Sequence, residues 1–207
     1  MLMWLFIGVL LFIIWTDYNM KTCIGKWLHI TNRSGKTGFE VARQLINNNG
    51  LKHVELQLLS GERKINDHYN SIQRSVFLSE RVYYGNSIGS IAVAAHEIGH
   101  AECHRDRNML MRIQTKLLPC VAFSITIIPI SLFFGLLFSH ELLTLSMALS
   151  LFVVGFRILT LMVELDASRR AFTLLTKHNC ISPEEHMGVK QTLQAMALTY
   201  AAAIFRW

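Results

Sequence analysis

Long apolar runs dominate the pattern of hydrophobic and polar positions in this 207-residue chain. Two of them, Leu117 to Phe138 and Leu142 to Val163, each contain about the 20 residues that a helix needs to cross a bilayer. Only three polar residues, 139–141, separate the two runs. The pattern therefore predicts a transmembrane hairpin over residues 117–163.

The first 15 residues, Met1 to Trp15, form a third apolar run that is slightly shorter than a usual span. A cleaved signal peptide would carry Lys or Arg before its apolar core and small residues at the cleavage site. No Lys or Arg precedes this run, and Thr16, Asp17 and Tyr18 follow it. We interpret residues 1–15 as an uncleaved transmembrane anchor.

The segment between anchor and hairpin, residues 16–116, is more polar and is long enough for a small α+β unit. Thr37 and Glu40 have the spacing of a helix capping box, and apolar residues then recur at helical intervals up to Gly50. This pattern predicts a helix over residues 37–49.

Two short runs of β-branched and apolar residues, at 54–59 and 75–79, predict strands separated by Gly61 and a polar stretch. The second is a candidate edge strand, to which an extended peptide substrate could add as a further strand. An edge strand with no role in substrate binding explains the second run equally well. From about residue 87 to residue 104 the composition becomes rich in alanine and predicts another helix.

The last segment, residues 164–207, follows the hairpin and is predicted to be helical. Its second half contains an apolar stretch, Ala195 to Phe205, but this is only 11 residues long. A full span needs about 20 residues. We therefore expect an interfacial, packed or partly spanning helix there.

The composition fits a membrane protein, with 52% hydrophobic and 16% charged residues and a formal net charge of +6. The basic residues near the ends of the predicted spans are Lys21, Lys26, Arg105, Arg107, Arg112, Lys116, Arg169, Arg170 and Lys177. By the positive-inside rule, the N-terminus lies outside and the polar segments face the cytosol. The basic charge then indicates contact with anionic lipid and not with nucleic acid.

The candidate chemistry lies in the predicted helix at 87–104, where His96, Glu97 and His100 form an H-E-x-x-H motif. On a helix the two imidazoles share a face and can bind one Zn²⁺, while Glu97 reaches water on the open side of the metal as a general base. A charged surface helix is the alternative interpretation. The apolar neighbours, residues 91–95, predict a buried helix and favour the metal site.

A catalytic zinc site has three protein ligands, so a third ligand must come from elsewhere in the chain. Glu164 is the best candidate, because it lies where the last predicted span ends on the inner side. From its position alone it could also be a polar anchor at the membrane interface.

Several segments carry a family resemblance: "AVAAHEIGHAECH", then "VELDASRRAFTLL" after the hairpin, and "TGFEVARQLI", "NDHYN" and "VFLSERVY" in the same order before it. In these segments the chain resembles the YugP-type membrane zinc metallopeptidases. The resemblance implies a mainly α-helical multipass membrane protein with a small α+β, zincin-like cytosolic segment. Two features depart from the family pattern. The family's D-H-Y-D-P element corresponds to Asp67 to Ser71 here, which lacks the second acid and the proline. The apolar C-terminal stretch is also shorter in this sequence than in the family.

The order of motif, hairpin and glutamate-bearing helix is also similar to the HtpX-like gluzincins, in which that glutamate is the third ligand. The resemblance therefore implies Glu164 as a zinc ligand. Gluzincins often place an aspartate four residues after this glutamate to orient a zinc-bound histidine. Here that position is Ser168, and Asp166 lies two residues off the face. Either residue could orient the ligand.

Other residues are weaker candidates. Arg157 lies on the face of Glu164 two turns earlier, so it could pair with a carboxylate, stabilise an oxyanion, or extend to the membrane interface. His68, Tyr69 and Tyr200 are candidate electrophiles beside the metal. His104 lies about 12 Å along the helix from His96 and is too far to share its metal.

These patterns lead to one functional hypothesis and one main rival, while a channel or transporter is disfavoured because Arg157 is the one charged residue inside the predicted hairpin spans. The hypothesis is a multipass zinc metallopeptidase of the cell membrane that cleaves proteins or peptides, including membrane proteins, at the cytosolic surface. The rival is a membrane scaffold or binding protein that retains a zinc site without turnover. Glu97 favours the enzyme, because a scaffold needs no base beside an open metal position.

Overall fold

A computed structural model describes residues 2–59 and 67–205. Gly61, predicted to separate two strands, lies outside these ranges. The elements in chain order are α1 (Leu2–Trp27), α2 (Gly38–Asn48), β1 (Glu55–Leu59), β2 (His68–Asn70), β3 (Ser75–Ser79), α3 (Glu80–Tyr83), α4 (Ile88–Arg105), α5 (Met109–Leu137), α6 (His140–Lys177), a 3₁₀ turn (Pro183–Glu185) and α7 (His186–Ala203). The expected mainly helical fold with a small sheet is confirmed.

The predicted capping box begins α2. The Thr37 hydroxyl accepts a hydrogen bond from the Glu40 amide at 3.2 Å, and the Glu40 carboxylate accepts one from the Thr37 amide at 2.8 Å. These two bonds satisfy amides that have no partner inside the helix. The buried side of α2 packs against α4 and includes Val41 and Leu45, which form part of the hydrophobic core.

The small sheet has the strand order β1-β3-β2, with β1 parallel and β2 antiparallel to β3. Both predicted strands are present, but the assignment of the strand at 75–79 as an edge is wrong. Ser75–Ser79 is the central strand, because the three-residue strand His68–Asn70 pairs with its other side. That short strand has too few positions to show an alternating pattern in the sequence.

The predicted motif helix, α4, is almost entirely buried from Ile88 to Gly99. Its N-terminus is capped by Ser87, whose hydroxyl accepts a hydrogen bond from the Ser90 amide at 3.1 Å. Helices α2, α6 and α7 and the sheet pack around it. The expectation that the apolar residues before the motif bury this helix is therefore correct.

Two helices of the described ranges, α5 and α6, are long and apolar enough to cross a membrane. Only 17% and 11% of their most apolar stretches are buried within the protein. A core helix of a soluble protein would be mostly buried, so their exposed apolar surface needs another apolar environment. The α6 helix continues without a break from its apolar part through Glu164 to Lys177.

The terminal helices pack against each other. Helix α1 extends past Trp15 to Trp27, whose indole donates a hydrogen bond to the Gln191 side chain of α7 at 3.0 Å. Ala195 and Ala202 of α7 are buried, so the apolar C-terminal stretch forms part of a packed helix. Helix α7 also contacts α4 and α6.

Helices α4 and α6 approach each other closely at Gly99. A Cβ atom built on Gly99 would overlap the backbone carbonyl of Ala167 in α6. Gly99 lies inside the H-E-x-x-H motif, and Ala167 lies three residues after Glu164. The missing side chain therefore lets the two helices that carry the candidate ligands meet backbone to backbone.

We predict that Gly99→Ala separates α4 from α6, lowers the zinc content of the purified protein and destabilises it by about 1–3 kcal/mol through overpacking. Metal analysis and thermal unfolding measure these effects. Gly155→Ala is the matched control, since a Cβ on Gly155 of α6 meets nothing within 4 Å. Native zinc content and stability in the Gly99 variant would contradict a tight contact.

Candidate metal centre

Three side chains converge where α4 meets α6, of which His96 and Glu164 are buried and His100 is half-buried. The distances are 3.1 Å from His96 Nε2 to Glu164 Oε2, 3.2 Å from His96 Nε2 to His100 Nε2, and 3.4 Å from His100 Nε2 to Glu164 Oε2. His96 is 2% exposed and Glu164 is 6% exposed. The structure thus brings together the two motif histidines and the glutamate expected as third ligand.

The size of this triangle fits zinc. Tetrahedral zinc with bonds of 2.0–2.1 Å to nitrogen or oxygen has ligand atoms about 3.3 Å apart, and the three distances lie close to that value. Two imidazoles and one carboxylate are also a ligand set typical of catalytic zinc, which leaves a fourth position open. The residues present therefore fit a zinc ion.

The electrostatic environment favours a cation at the same point. Burial lowers the pKa of His96, which favours the neutral imidazole that a metal ligand requires. Burial also opposes charge on His100, but the nearby carboxylates, chiefly Glu164, together outweigh it and raise the pKa of His100. A carboxylate that stabilises a proton on this nitrogen would likewise stabilise a metal ion there.

The other ring nitrogen of His96 has a partner on α6. Ser168 Oγ lies 3.2 Å from His96 Nδ1, and both side chains are buried. Asp166 contacts different groups, with its Oδ2 accepting hydrogen bonds from Asn108 Nδ2 at 2.8 Å and from Arg170 Nε at 3.2 Å. Of the two candidates for orienting a ligand, Ser168 is thus the one that the structure places beside His96.

Glu97 lies next to the three convergent side chains and is 4% exposed. Burial raises the pKa of its carboxyl group to about 8, although a hydrogen bond from the Tyr69 backbone opposes the shift. The carboxyl group lines a cavity of about 260 Å³ together with Asp67 and Tyr200. A buried carboxylate with a raised pKa beside a cavity is typical of a general base.

Tyr200 and Asp67 complete the surroundings of Glu97. Tyr200, a candidate electrophile from the sequence, lies close enough to Glu164 and Glu97 for their charges to act on it. Asp67 was not singled out as a site residue. Its carboxylate accepts hydrogen bonds from the Ser79 amide at 2.6 Å and hydroxyl at 3.3 Å, which ties the start of β2 to the end of β3. The sequence signal that could have identified Asp67 is its position directly before the candidate residues His68 and Tyr69.

The remaining candidates have other contacts. His68 stacks on Phe77 with ring centroids 5.0 Å apart, and the Tyr69 hydroxyl lies 2.8 Å from His104 Nδ1. Arg157 donates a hydrogen bond to the backbone carbonyl of Ala203, near the end of α7. These contacts connect the candidates to the sheet, to the far end of α4 and to the C-terminal helix.

Comparison with known proteins identifies the class. Residues 2–206 match the family described as "Putative neutral zinc metallopeptidase", and the chain belongs to this family. Zinc is accordingly its cofactor, and His96, His100 and Glu164 are the candidate triad.

A particular relative is the "Putative membrane protease YugP" of Bacillus subtilis (strain 168). It is 39% identical over 191 residues, which cover 91% of this chain and 84% of the relative. No solved structure matches the chain significantly. Family and relative together identify the chain as a metallopeptidase.

We predict that Ser168→Ala weakens zinc affinity by about tenfold or more, because loss of a partner that orients a ligand commonly costs 10–100-fold. Competition with a chromogenic chelator measures the affinity. Asp166→Asn, on the same stretch of α6, is the control and should stay near the native value. The reverse order of effects would show that Asp166 orients the ligand.

Proposed function

We propose that the chain is a membrane-embedded endopeptidase of the gluzincin type, with zinc held by His96, His100 and Glu164. The observation that carries this proposal is the convergence of three ligand atoms, 3.1–3.4 Å apart, beside a buried glutamate that lines a cavity. Bound zinc would supply Lewis-acid activation of the attacking water and of the scissile carbonyl.

Glu97 performs the proton transfers in this proposal. Its carboxylate takes a proton from the attacking water and later delivers it to the leaving amine nitrogen as the C–N bond breaks. Burial makes Glu97 a stronger base than an exposed glutamate. The Tyr69 backbone also donates a hydrogen bond to this carboxylate.

An extended substrate would bind along β2. This strand is the sheet edge beside α4, and its Tyr69 backbone already contacts Glu97. Main-chain hydrogen bonds to an edge strand recognise a peptide without requiring particular side chains. The sequence suggested residues 75–79 as the peptide-binding edge. Because that strand is central, we assign this role to His68–Asn70 instead.

Membrane insertion is the second part of the proposal. Helices α5 and α6 form the hairpin, since both are long, apolar and largely unburied within the protein. Basic residues such as Arg112, Lys116 and Arg169 lie in the sequence next to the hairpin ends that lead to the metal-centre residues, so the positive-inside rule favours a site at the cytosolic surface. The name of the Bacillus relative supports a membrane location. The N-terminal anchor and the external N-terminus stay predictions.

We predict that Glu97→Gln lowers cleavage of an unfolded membrane-protein substrate by at least about a hundredfold, the usual contribution of a general acid–base group. Zinc content should stay native, because Glu97 is not a ligand in this proposal. Glu102→Gln is the matched control on the same helix, since Glu102 pairs with Arg105 and Arg170 outside the site. Unchanged cleavage in the Glu97 variant would support the scaffold alternative.

We also predict opposite accessibility for the two ends of α6. In a variant without native cysteines, His140→Cys should react with an impermeant maleimide on intact cells stripped of any outer barrier. Thr173→Cys, exposed at the other end of the helix, should react only after permeabilisation. Labelling of both positions, or the inverse pattern, would contradict the proposed topology.

A further inference from the structure

A second cavity, of about 440 Å³, lies between the end of α4, the β2–β3 turn and the start of α5. Every described residue that lines it is an arginine or a histidine. These residues are His53, Arg74, His104, Arg105, Arg107 and Arg112. None of them belongs to the candidate metal centre, so this cavity calls for a separate explanation.

Among the residues that the structure describes, much of the positive charge here has no acidic partner. Arg105 is neutralised by Glu102 at 3.3 Å and Asp106 at 2.8 Å. Arg74, Arg107 and Arg112 form no salt bridge with any residue in ranges 2–59 and 67–205. Three like charges around one cavity repel each other, and an anion with several acceptor oxygens would relieve that repulsion.

The backbone at two of these arginines is strained. Arg74 and Arg107 have positive φ angles of 52° and 54°, and Asn179 is the one other non-glycine residue of the described ranges in that region. Asparagine often adopts this conformation, but arginine is not among the residues enriched there. Arg107 occupies the position directly after the C-cap residue Asp106, and glycine is the usual residue at that position. The strained backbone at Arg74 and Arg107 indicates that their guanidinium groups have a function in the cavity.

The cavity continues toward the proposed membrane surface. An adjoining hollow of about 200 Å³ shares His104 and Arg112 with it and follows α5 past Met111 to Lys116. Lys116 immediately precedes the apolar run that begins at Leu117. A ligand with a phosphate in the basic cavity could therefore direct an apolar tail along α5 into the bilayer.

We propose that this cavity binds the phosphate group of an anionic phospholipid headgroup. Arginine suits this role, because its planar fork of donors matches phosphate oxygens. Inorganic phosphate offers the same oxygens, but the hollow along α5 favours a ligand with a tail. The choice of a lipid as the ligand rests on the membrane insertion proposed above. The positive charge of the cavity is independent of that proposal.

The test uses the full chain in a neutral maltoside detergent. Short-chain phosphatidylglycerol, short-chain phosphatidylcholine and inorganic phosphate are titrated separately, and the melting temperature is followed, because a ligand that binds the folded state raises it. We expect a saturable increase with phosphatidylglycerol, none with phosphatidylcholine, and one with phosphate only at much higher concentration.

The variant Arg107→Gly with Arg112→Gln removes two of the unpaired charges. Glycine relieves the left-handed backbone at position 107, so the fold is expected to persist. The apparent affinity for phosphatidylglycerol should fall by at least about tenfold, which corresponds to the loss of one charge-assisted hydrogen bond. Arg43→Gln, which removes an exposed charge on α2 outside the cavity, should keep the native affinity.

Three results would overturn this inference. They are equal responses to phosphatidylglycerol and phosphatidylcholine, native lipid affinity in the double variant, and inorganic phosphate binding as tightly as the lipid, which would make free phosphate the ligand. Zinc content is measured on the same samples. Native zinc without a lipid response counts against this inference alone, whereas native protein that binds no zinc counts against the proposed function.

Discussion

The backbone contact between Gly99 and Ala167 is the constraint on which the candidate site depends. It holds α4 against α6 at a distance that no larger residue at position 99 would allow. One turn along α6 from this contact, Glu164 reaches the two imidazoles of α4. Because α6 is one continuous helix, the proposed membrane span and the third ligand belong to the same rigid element. The packing that anchors the hairpin therefore also sets the geometry of the metal centre.

Burial favours a cation at this point in addition to the geometry. Glu97 and Glu164 are both buried, and the charge of Glu164 adds to the burial that raises the pKa of Glu97. Without a metal, this repulsion favours the protonated form of Glu97, and a divalent ion between the imidazoles and Glu164 would favour its ionised form. Zinc in this position would stabilise the contact of α4 with α6 in addition to serving the chemistry, since metal binding and folding are coupled.

Features that depend on residues close in the chain could be predicted from the sequence. Helical geometry alone places His96 and His100 on one face of α4. It also places Thr37 and Glu40 close enough to form the capping box of α2. Glu164 required the family resemblance, because its position also suited an interface anchor. The edge strand β2 was missed, since three residues show no period. The basic cavity could not be predicted, because it depends on tertiary packing and on φ angles that arginine rarely adopts.

The most direct test of the central claim is X-ray absorption spectroscopy at the zinc edge on the purified full-length protein. Zinc held by His96, His100 and Glu164 should show four nitrogen or oxygen neighbours at about 2.0–2.1 Å, with the outer-shell scattering of two imidazoles. The described cysteines are free, and none lies in the triad. A sulfur neighbour at about 2.3 Å, or a signal from a different number of imidazoles, would contradict a site built from His96, His100 and Glu164.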